Sequence, residues 1–271
     1  MPILKDKDEE KSMKTLGLAL GAGGSRGVAH IGFLKALEEA GMKPDYIVGC
    51  SMGSVVGGAY AAGVSVDYMR EVVCKLRLLD LATPSKQKGG LIGNTKIRAL
   101  LCKHIGDITF EDLKLPFRCV AVDMLKQEVV EFSKGSVIDA IVASSAIPAL
   151  FPPLHSDERR LIDGGVLERV PAMRVKHLGA DVVVAVDVLG WRKASEKVPG
   201  PIGVSLETFD IMDNYLTREY HKKHKKHIDF WLEADLGDVS QYSFKQLNEV
   251  YEKGYALGKA NADAIKKALE E

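Results

Sequence analysis

A serine framed by two glycines is the first feature of this sequence that could do chemistry. Residues 49–53 read G-C-S-M-G, after the apolar run Y-I-V and before a stretch with helical spacing. This is the nucleophile-elbow pattern, in which a sharp strand-to-helix turn gives the serine an unfavourable φ and Gly49 and Gly53 face close-packed backbone. It predicts that Ser51 presents its Oγ at a helix N-terminus, where negative charge is stabilised. A helix-capping serine in a glycine-rich crossing is the alternative.

A second glycine cluster, G-A-G-G-S-R-G at residues 21–27, follows an apolar run. A dinucleotide-binding turn is disfavoured, because G-x-G-x-x-G requires glycine where Ala22 stands and because the next strand lacks an acidic residue at its end. Consecutive small residues instead expose backbone N–H groups that can bind an oxyanion, and Gly23 and Gly24 are the predicted donors. For Arg26, three interpretations stay open: hydrogen bonds to loop carbonyls, contact with a phosphate, or a surface charge.

A nucleophilic serine needs a group that accepts its proton. Asp163 is the strongest candidate, because it ends the strand R-R-L-I-D and precedes Gly164 and Gly165, which let a substrate or another backbone come close. The carboxyl end of a strand is where open α/β sheets bind ligands. Burial beside the serine should raise the pKa of Asp163 and make it a better base.

The histidines offer the alternative of a Ser-Asp-His triad. None of the seven stands in a short loop after a late strand, where a triad histidine is expected; they are His30, His104, His155, His177, His221, His224 and His227. The last three form the run H-K-K-H-K-K-H, which most simply predicts a solvated basic helix face. Metal binding and contact with an anionic membrane are the lesser interpretations of that run.

The composition disfavours several classes of function. In 271 residues, 37 Lys and Arg balance 37 Asp and Glu, so no basic excess indicates a nucleic-acid-binding protein. Four cysteines without C-x-x-C spacing favour a reducing cytoplasm over a disulfide framework or a zinc site. The charged residues 1–14 predict a solvated tail, not a secretory signal. Residues 46–66 carry no charge, but their glycines and serines would insert poorly into a bilayer, so we expect a soluble chain.

Apolar runs alternate with helical patterns, which indicates an α/β sheet with helices on both faces. A single domain is expected over residues 15–271, with a mainly helical part over 205–271. The irregular segment 77–93 is interpreted first as a surface loop and second as a mobile flap over an apolar pocket. The predicted strands cover residues 15–20, 46–49, 117–123, 127–132, 159–163, 181–188 and 228–235.

Three blocks match one known family in order and spacing. They are LALGAGGSRGVAHIGFLKAL at 18–37, VGCSMGSVVGGAYAAG at 48–63, and ASSAIPALFPPL at 143–154 followed by LIDGGVLERVP at 161–171. Together they span Leu16 to Val188 and resemble the bacterial patatin-like phospholipases. The resemblance implies a patatin-like three-layer α/β/α fold with a mostly parallel central sheet.

The resemblance also implies a Ser-Asp dyad that works without a histidine, a metal or a cofactor. Carried over residue by residue, Ser51 is the nucleophile and Asp163 its general base, and the oxyanion hole is bordered by Gly23, Gly24 and Ser25. The supporting positions in the matched blocks are Arg26, Gly27, Gly49, Gly53, Gly164 and Gly165.

Two departures from the family pattern lie outside the dyad. Ala22 interrupts the usual run of glycines, and Glu168-Arg169 stand where a pair of asparagines is common. We expect Ala22 to shift the oxyanion geometry slightly and Glu168-Arg169 to alter the packing near the D-G-G turn.

The expected function is that of a serine acyl-ester hydrolase in lipid metabolism, of the phospholipase A, lysophospholipase or esterase type. Its expected partner is a lipid or other acyl ester, with peripheral contact at a membrane, and its expected location is the cytoplasm. Two alternatives stay open: an α/β-hydrolase with a histidine triad, and a non-catalytic lipid-binding or regulatory protein that keeps the patatin-like shell.

Overall fold

The computed structural model describes residues 13–81, 83–156, 158–190 and 200–271. Within them, one sheet holds eight strands: β1 (Leu16–Leu20), β2 (Tyr46–Cys50), β3 (Phe117–Asp123), β4 (Glu128–Phe132), β5 (Leu154–Ser156), β6 (Arg159–Asp163), β7 (Val182–Asp187) and β8 (Phe230–Glu233). The helices of this part of the chain are α1 (Ala29–Glu39), α2 (Met52–Ala61), α3 (Val66–Cys74), α4 (Leu78–Leu81), α5 (Thr95–Ile105), α6 (Val137–Ser144), α7 (Ala172–His177), α8 (Pro201–His224) and α9 (Leu247–Glu270).

The sheet is mostly parallel, as predicted. Its strand order is β5-β6-β3-β2-β1-β7-β8, and β4 pairs with the free edge of β3. The strands β3, β2, β1, β7 and β8 run parallel to one another, whereas β4, β5 and β6 are antiparallel to their neighbours.

Two strands of opposite direction share one edge of β3. The parallel strand β2 pairs with the first half of β3 and ends with Cys50 opposite Val120. The antiparallel strand β6 pairs with the second half and ends with Asp163 opposite Ala121. Because Val120 and Ala121 are neighbours, the carboxyl ends of β2 and β6 meet end to end.

Helices cover both faces of the sheet, which completes the predicted three layers. On β1, the side chains of Leu16, Leu18 and Leu20 point to one face and pack in a core that includes α1, α2, α6 and α9. Ala19 points to the other face, where Val183 and Ala185 of β7 pack against α7. The alternation follows from the two-residue period of a strand, and strands buried on both faces read as continuous apolar runs.

Most element boundaries agree with the sequence prediction. Ser65 caps α3, as expected, by accepting a hydrogen bond from the Tyr68 N–H, but Asn94 precedes α5 without a side-chain cap. The short elements α4, β5 and α7 were not predicted, and α4 lies in the segment 77–93 that was expected to be irregular. The predicted strand over 228–235 shortens to β8. The predicted tail lies almost wholly outside the described residues, and the single domain stays a prediction. None of the described helices combines the length and apolar character needed to cross a bilayer.

Candidate active site

Ser51 occupies a strained turn between β2 and α2. Its φ of 51° and ψ of −121° lie where a residue with a Cβ is rarely found, a conformation that costs about 1–3 kcal/mol. The flanking glycines meet close-packed backbone, as predicted. A Cβ on Gly53 would lie 2.0 Å from the Leu20 carbonyl oxygen, and one on Gly49 would lie 2.5 Å from the Gly53 carbonyl oxygen. The local geometry is therefore that of a nucleophile elbow.

The end-to-end meeting of β2 and β6 brings Ser51 and Asp163 together. The Ser51 Oγ donates a hydrogen bond of 2.6 Å to Asp163 Oδ2, and each residue is only 3% exposed. The other carboxylate oxygen, Oδ1, accepts the Gly165 N–H at 2.8 Å. The two bonds fix the rotation of the carboxylate, so that one oxygen faces the serine.

Burial raises the pKa of Asp163 to about 7, and the nearby Asp213 carboxylate adds to this increase. Hydrogen bonds from Ser51 and from the Gly165 N–H act in the opposite direction because they stabilise the ionised form. The predicted direction of the shift is confirmed. A carboxylate with this pKa is a far stronger base than an ordinary carboxylate in water, yet about half of it is still ionised at neutral pH.

The glycine-rich loop lies beside the elbow and forms a 3₁₀ helix from Gly24 to Val28. Gly24 and Ser25 line the same cavity as Ser51. The Ser25 N–H already donates to the Gln241 carbonyl at 2.9 Å, so it is not available to an oxyanion while that bond is kept. Within the described residues, the N–H groups of Gly23 and Gly24 donate to no acceptor. Ser25 thus borders the cavity without a free N–H, and the assignment of Gly23 and Gly24 as the oxyanion donors stays a prediction.

Arg26 holds this loop from within the protein. Its side chain is buried, and its Nε donates to the Val188 carbonyl at 2.8 Å while one terminal nitrogen donates to the Val239 carbonyl at 3.2 Å. The interpretation that Arg26 binds carbonyls is confirmed, and the surface-charge interpretation is wrong. Next to it, a Cβ on Gly27 would lie 2.3 Å from Cγ of Met52, so this glycine lets the loop approach the elbow.

The D-G-G turn depends on a similarly close approach. A Cβ on Gly164 would lie 2.5 Å from the Val120 carbonyl oxygen and 2.9 Å from the Cys50 sulfur. Gly165 supplies the N–H that holds Asp163. Gly164 therefore positions the carboxylate by letting the turn lie close to Val120 and Cys50, and Gly165 positions it through a hydrogen bond.

No histidine among the described residues hydrogen-bonds to Ser51 or Asp163. His30 is buried, lies 2.8 Å through Nε2 from the Gly21 carbonyl oxygen, and has its pKa lowered to about 4 by burial. His104 lines the cavity but pairs with the Tyr68 hydroxyl at 2.9 Å. In the basic run, the ring of His221 stacks on Trp231 with centroids 4.3 Å apart, so this face is only partly solvated.

An apolar cavity of about 400 Å³ opens beside Ser51. Its walls come mainly from the helices on one face of the sheet, and the segment 77–93 contributes Leu81 and Ile92. That segment therefore lies against the pocket, as its second interpretation required; its movement as a flap stays a prediction. The apolar lining includes Val28, Ile31, Val55, Met69, Val72, Leu100, Ile141, Phe151 and Leu206.

Ser144 is a part of the site that the sequence analysis did not single out. It ends α6, and its Oγ accepts the backbone N–H of Ser51 at 2.9 Å. The bond satisfies a buried donor in the strained turn and so holds the elbow in place. The only signal in the sequence was the position of Ser144 inside the block at 143–154, which did not indicate its partner.

The departure at Arg169 has a structural counterpart that the sequence did not reveal. The Arg169 guanidinium is buried and pairs with Asp187 at 2.7 Å and with Asp213 at 2.8 Å. Its backbone carbonyl accepts the Ala22 N–H at 3.0 Å. Arg169 thereby connects the glycine-rich loop, the end of β7 and α8. We expected this position to alter packing near the D-G-G turn only, but the contacts of Arg169 extend to three separate parts of the fold.

We predict that Ser144→Ala lowers the free energy of unfolding by about 1–3 kcal/mol, because it leaves the buried Ser51 N–H without an acceptor. Urea unfolding followed by circular dichroism measures the change. The adjacent Ser145→Ala is a matched control, since the Ser145 Oγ is buried without a hydrogen-bond partner in the described structure. Equal losses in the two variants would show that the bond to the elbow is unimportant.

We predict that Arg169→Ala lowers the free energy of unfolding by about 3–5 kcal/mol, because two buried carboxylates lose their partner. Burial raises the pKa of Asp213 to about 6. The difference from wild type should therefore be smaller at acid pH than at alkaline pH, since protonation removes an uncompensated charge. Arg174→Ala is the control, because Arg174 pairs with Glu168 nearer the surface. A loss independent of pH would contradict the electrostatic explanation.

Comparison with known proteins shows which proteins this chain is similar to. A family model described as patatin-like phospholipase matches residues 18–176. An uncharacterized NTE family protein of Mycobacterium tuberculosis is 38% identical over 181 residues, which make up 66% of this chain and 50% of that protein. Lysophospholipase NTE1 of Coccidioides immitis is 31% identical over 93% of this chain and 18% of its own length. The chain thus spans half of the mycobacterial relative and a small part of the fungal one.

Two solved structures share the fold. VipD from Legionella pneumophila aligns with a TM-score of 0.51 and 13% identity over 95% of this chain and 67% of VipD. ExoU of the Pseudomonas aeruginosa type III secretion system, in complex with SpcU, aligns with a TM-score of 0.50 and 13% identity over 96% of this chain and 53% of ExoU. At this identity the likeness concerns the fold alone. Since the family model covers more than half of its residues, the chain belongs to the patatin-like phospholipase family.

Proposed function

We propose that this protein is a serine acyl-ester hydrolase of lipid metabolism, of the phospholipase A, lysophospholipase or esterase type. The observation that carries the proposal is the 2.6 Å hydrogen bond between Ser51 Oγ and the buried Asp163 carboxylate at the wall of an apolar cavity. Membership of the family and similarity to a fungal protein named as a lysophospholipase support it.

In the first half-reaction, the ionised Asp163 takes the proton of Ser51 while Oγ attacks the carbonyl carbon of the ester. The carbonyl electron pair moves onto oxygen, and the resulting oxyanion is bound by the N–H of Gly24, with that of Gly23 beside it. The N-terminus of α2 adds its dipole. Collapse of this intermediate breaks the bond to the alcohol, which leaves with the proton held by Asp163. The acyl group then remains on Ser51.

In the second half-reaction, Asp163 takes a proton from a water molecule as the water oxygen attacks the acyl carbon. The same N–H groups bind the second oxyanion. Its collapse breaks the bond to Ser51 Oγ, which recovers the proton from Asp163, and a fatty acid leaves. One carboxylate therefore serves both steps, and each step returns the proton that it removed.

The cavity indicates where the acyl chain lies. Its volume of about 400 Å³ and its aliphatic walls suit a single hydrocarbon chain, whereas a charged headgroup would lose its hydration there. We therefore place the chain among Ile31, Val55 and Ile141 and the alcohol part of the ester at the mouth. We also place the protein in the cytoplasm, in keeping with its free cysteines, and in peripheral contact with a membrane.

We predict that Ser51→Ala and Asp163→Asn each lower kcat/KM for a short-chain nitrophenyl ester by about a thousandfold or more, since each removes one member of a coupled pair. His104→Ala, which alters the wall of the same cavity, should retain activity within a few-fold. A dead His104 variant would favour a histidine triad, and full activity in Asp163→Asn would exclude the dyad.

A fluorophosphonate probe distinguishes an enzyme from a non-catalytic lipid-binding protein. The probe should label wild type at Ser51 and leave Ser51→Ala unlabelled, because only an activated hydroxyl attacks phosphorus. An unlabelled wild-type protein that still binds fatty acid in the cavity would favour the binding protein.

We predict that kcat/KM rises with pH to an apparent pKa of about 7 and is level above it, because only ionised Asp163 can accept the serine proton. The charge of Asp213 raises the pKa of Asp163, so Asp213→Asn should move the acidic limb of the profile to lower pH. Rates measured with a neutral soluble ester test both points. A flat profile through the acid range would contradict the role of Asp163 as base.

A further inference from the structure

Helix α8 turns a largely polar face toward the protein and exposes an apolar face, which is the reverse of the usual arrangement. The inner face, defined by Leu206, Phe209, Asp210, Asp213, Thr217 and Tyr220, packs on the protein and is largely polar. Asp213 pairs with Arg169, Asp210 accepts a hydrogen bond from Gln241 at 2.8 Å, and the Tyr220 hydroxyl accepts the Met173 N–H. A surface helix of a globular protein ordinarily buries its apolar stripe.

The outer face of α8 consists of Val204, Ile211, Met212, Tyr215 and Leu216. Ile211 is 65% exposed, Met212 60% and Tyr215 64%. Their spacing of three, four and seven residues places them on one side of the helix, opposite the inner face. Single exposed apolar residues need no explanation, but a contiguous stripe of large ones marks an interaction surface.

The same side of the helix continues into a cluster of cations. Lys222 and Lys223 follow the outer face along the helix, and Lys225 and Lys226 lie in the turn that succeeds it; all four are exposed. Of these, Lys222 pairs with Glu219. An apolar stripe joined to several lysines is complementary to a bilayer with anionic headgroups, because the lysines contact the headgroups while the apolar side chains enter the interface.

The inner face of the same helix borders the cavity. Leu206 lines the cavity, and Phe209 lies beside Gly165 of the D-G-G turn. The helix that carries the outer face therefore also forms part of the wall beside Ser51. Because the lysines complement anionic headgroups and the helix borders the cavity, we take a membrane and not a protein partner as the occupant.

We propose that the outer face of α8, together with Lys222 and Lys223 at its end and Lys225 and Lys226 in the turn after it, docks the protein on an anionic lipid bilayer. The purpose of the docking, delivery of a lipid ester to Ser51, rests on the proposed function, whereas the docking itself needs no catalysis. The proposal assigns the peripheral membrane contact to α8 and the turn after it, and divides it into two separable contributions, one apolar and one electrostatic.

The test is vesicle flotation with Ser51→Ala protein, which cannot hydrolyse the vesicles. Vesicles of phosphatidylcholine with phosphatidylserine should bind it, and pure phosphatidylcholine should bind it more weakly. Adding Ile211→Ser and Met212→Ser should weaken binding about tenfold or more, through lost apolar burial. Met13→Ser is the matched control: Met13 is 64% exposed and precedes the central strand β1, outside the outer face of α8, so binding should not change.

The electrostatic contribution is tested in the same assay. Lys223→Ser with Lys226→Ser should weaken binding to the anionic vesicles by about thirtyfold at low salt, and the loss should shrink as salt is added. Lys259→Ser with Lys266→Ser, two exposed lysines of α9, should leave binding unchanged. In the wild-type background, all these variants should hydrolyse a soluble ester at the parent rate, which separates a failure of docking from a failure of the proposed function.

Three results would overturn the proposal. Unchanged flotation of the Ile211/Met212 variant would contradict the apolar contribution. Equal binding to neutral and anionic vesicles would contradict the electrostatic contribution. A wild-type dimer that dissociates in the Ile211/Met212 variant, seen by analytical ultracentrifugation, would assign the outer face to a second copy of the chain.

Discussion

The hydrogen bond between Ser51 and Asp163 depends on a single stretch of β3 backbone. Val120 and Ala121 each pair with the last residues of a different strand, so the register of β3 sets the distance between serine and carboxylate. The two strands arrive from opposite directions, and neither could be lengthened without colliding with the other. Because both partners are buried, the bond is also isolated from competing water, and its length of 2.6 Å is typical of a hydroxyl bound to a carboxylate.

Burial of charge is the second constraint on this molecule. Of the buried carboxylates, those of Asp187 and Asp213 are compensated by one guanidinium, that of Arg169. Asp163 has hydrogen bonds but no cation among the described residues, and burial raises its pKa. The arrangement leaves an uncompensated carboxylate beside Ser51, where the proposed mechanism requires a proton acceptor, and keeps the compensated charges in the scaffold.

The features that the sequence predicted are those with local causes. The glycines near Ser51 and Asp163 belong to recognisable turn motifs, although Gly53 and Gly164 contact distant backbone at Leu20 and Val120. Apolar runs identify buried strands wherever they pair. The features that the sequence analysis missed depend on partners far along the chain. Ser51 and Ser144 are 93 positions apart, and Arg169 and Asp213 are 44 positions apart. The bond from the Ser25 N–H to the Gln241 carbonyl was not foreseen for the same reason. Residue types do not indicate which distant carbonyl will be adjacent.

The contact between Ser25 and Gln241 has a consequence for the order of events during synthesis. A ribosome delivers the glycine-rich loop and the serine early, the carboxylate 112 positions after the serine, and the carbonyl that fixes the loop only in the last part of the described chain. A nascent chain therefore exposes Ser51 before Asp163 is made, and later holds the Ser51–Asp163 pair before the loop is fixed. On the proposed function, the complete site forms only once the C-terminal part has docked, so a partly made chain would not yet hydrolyse lipids.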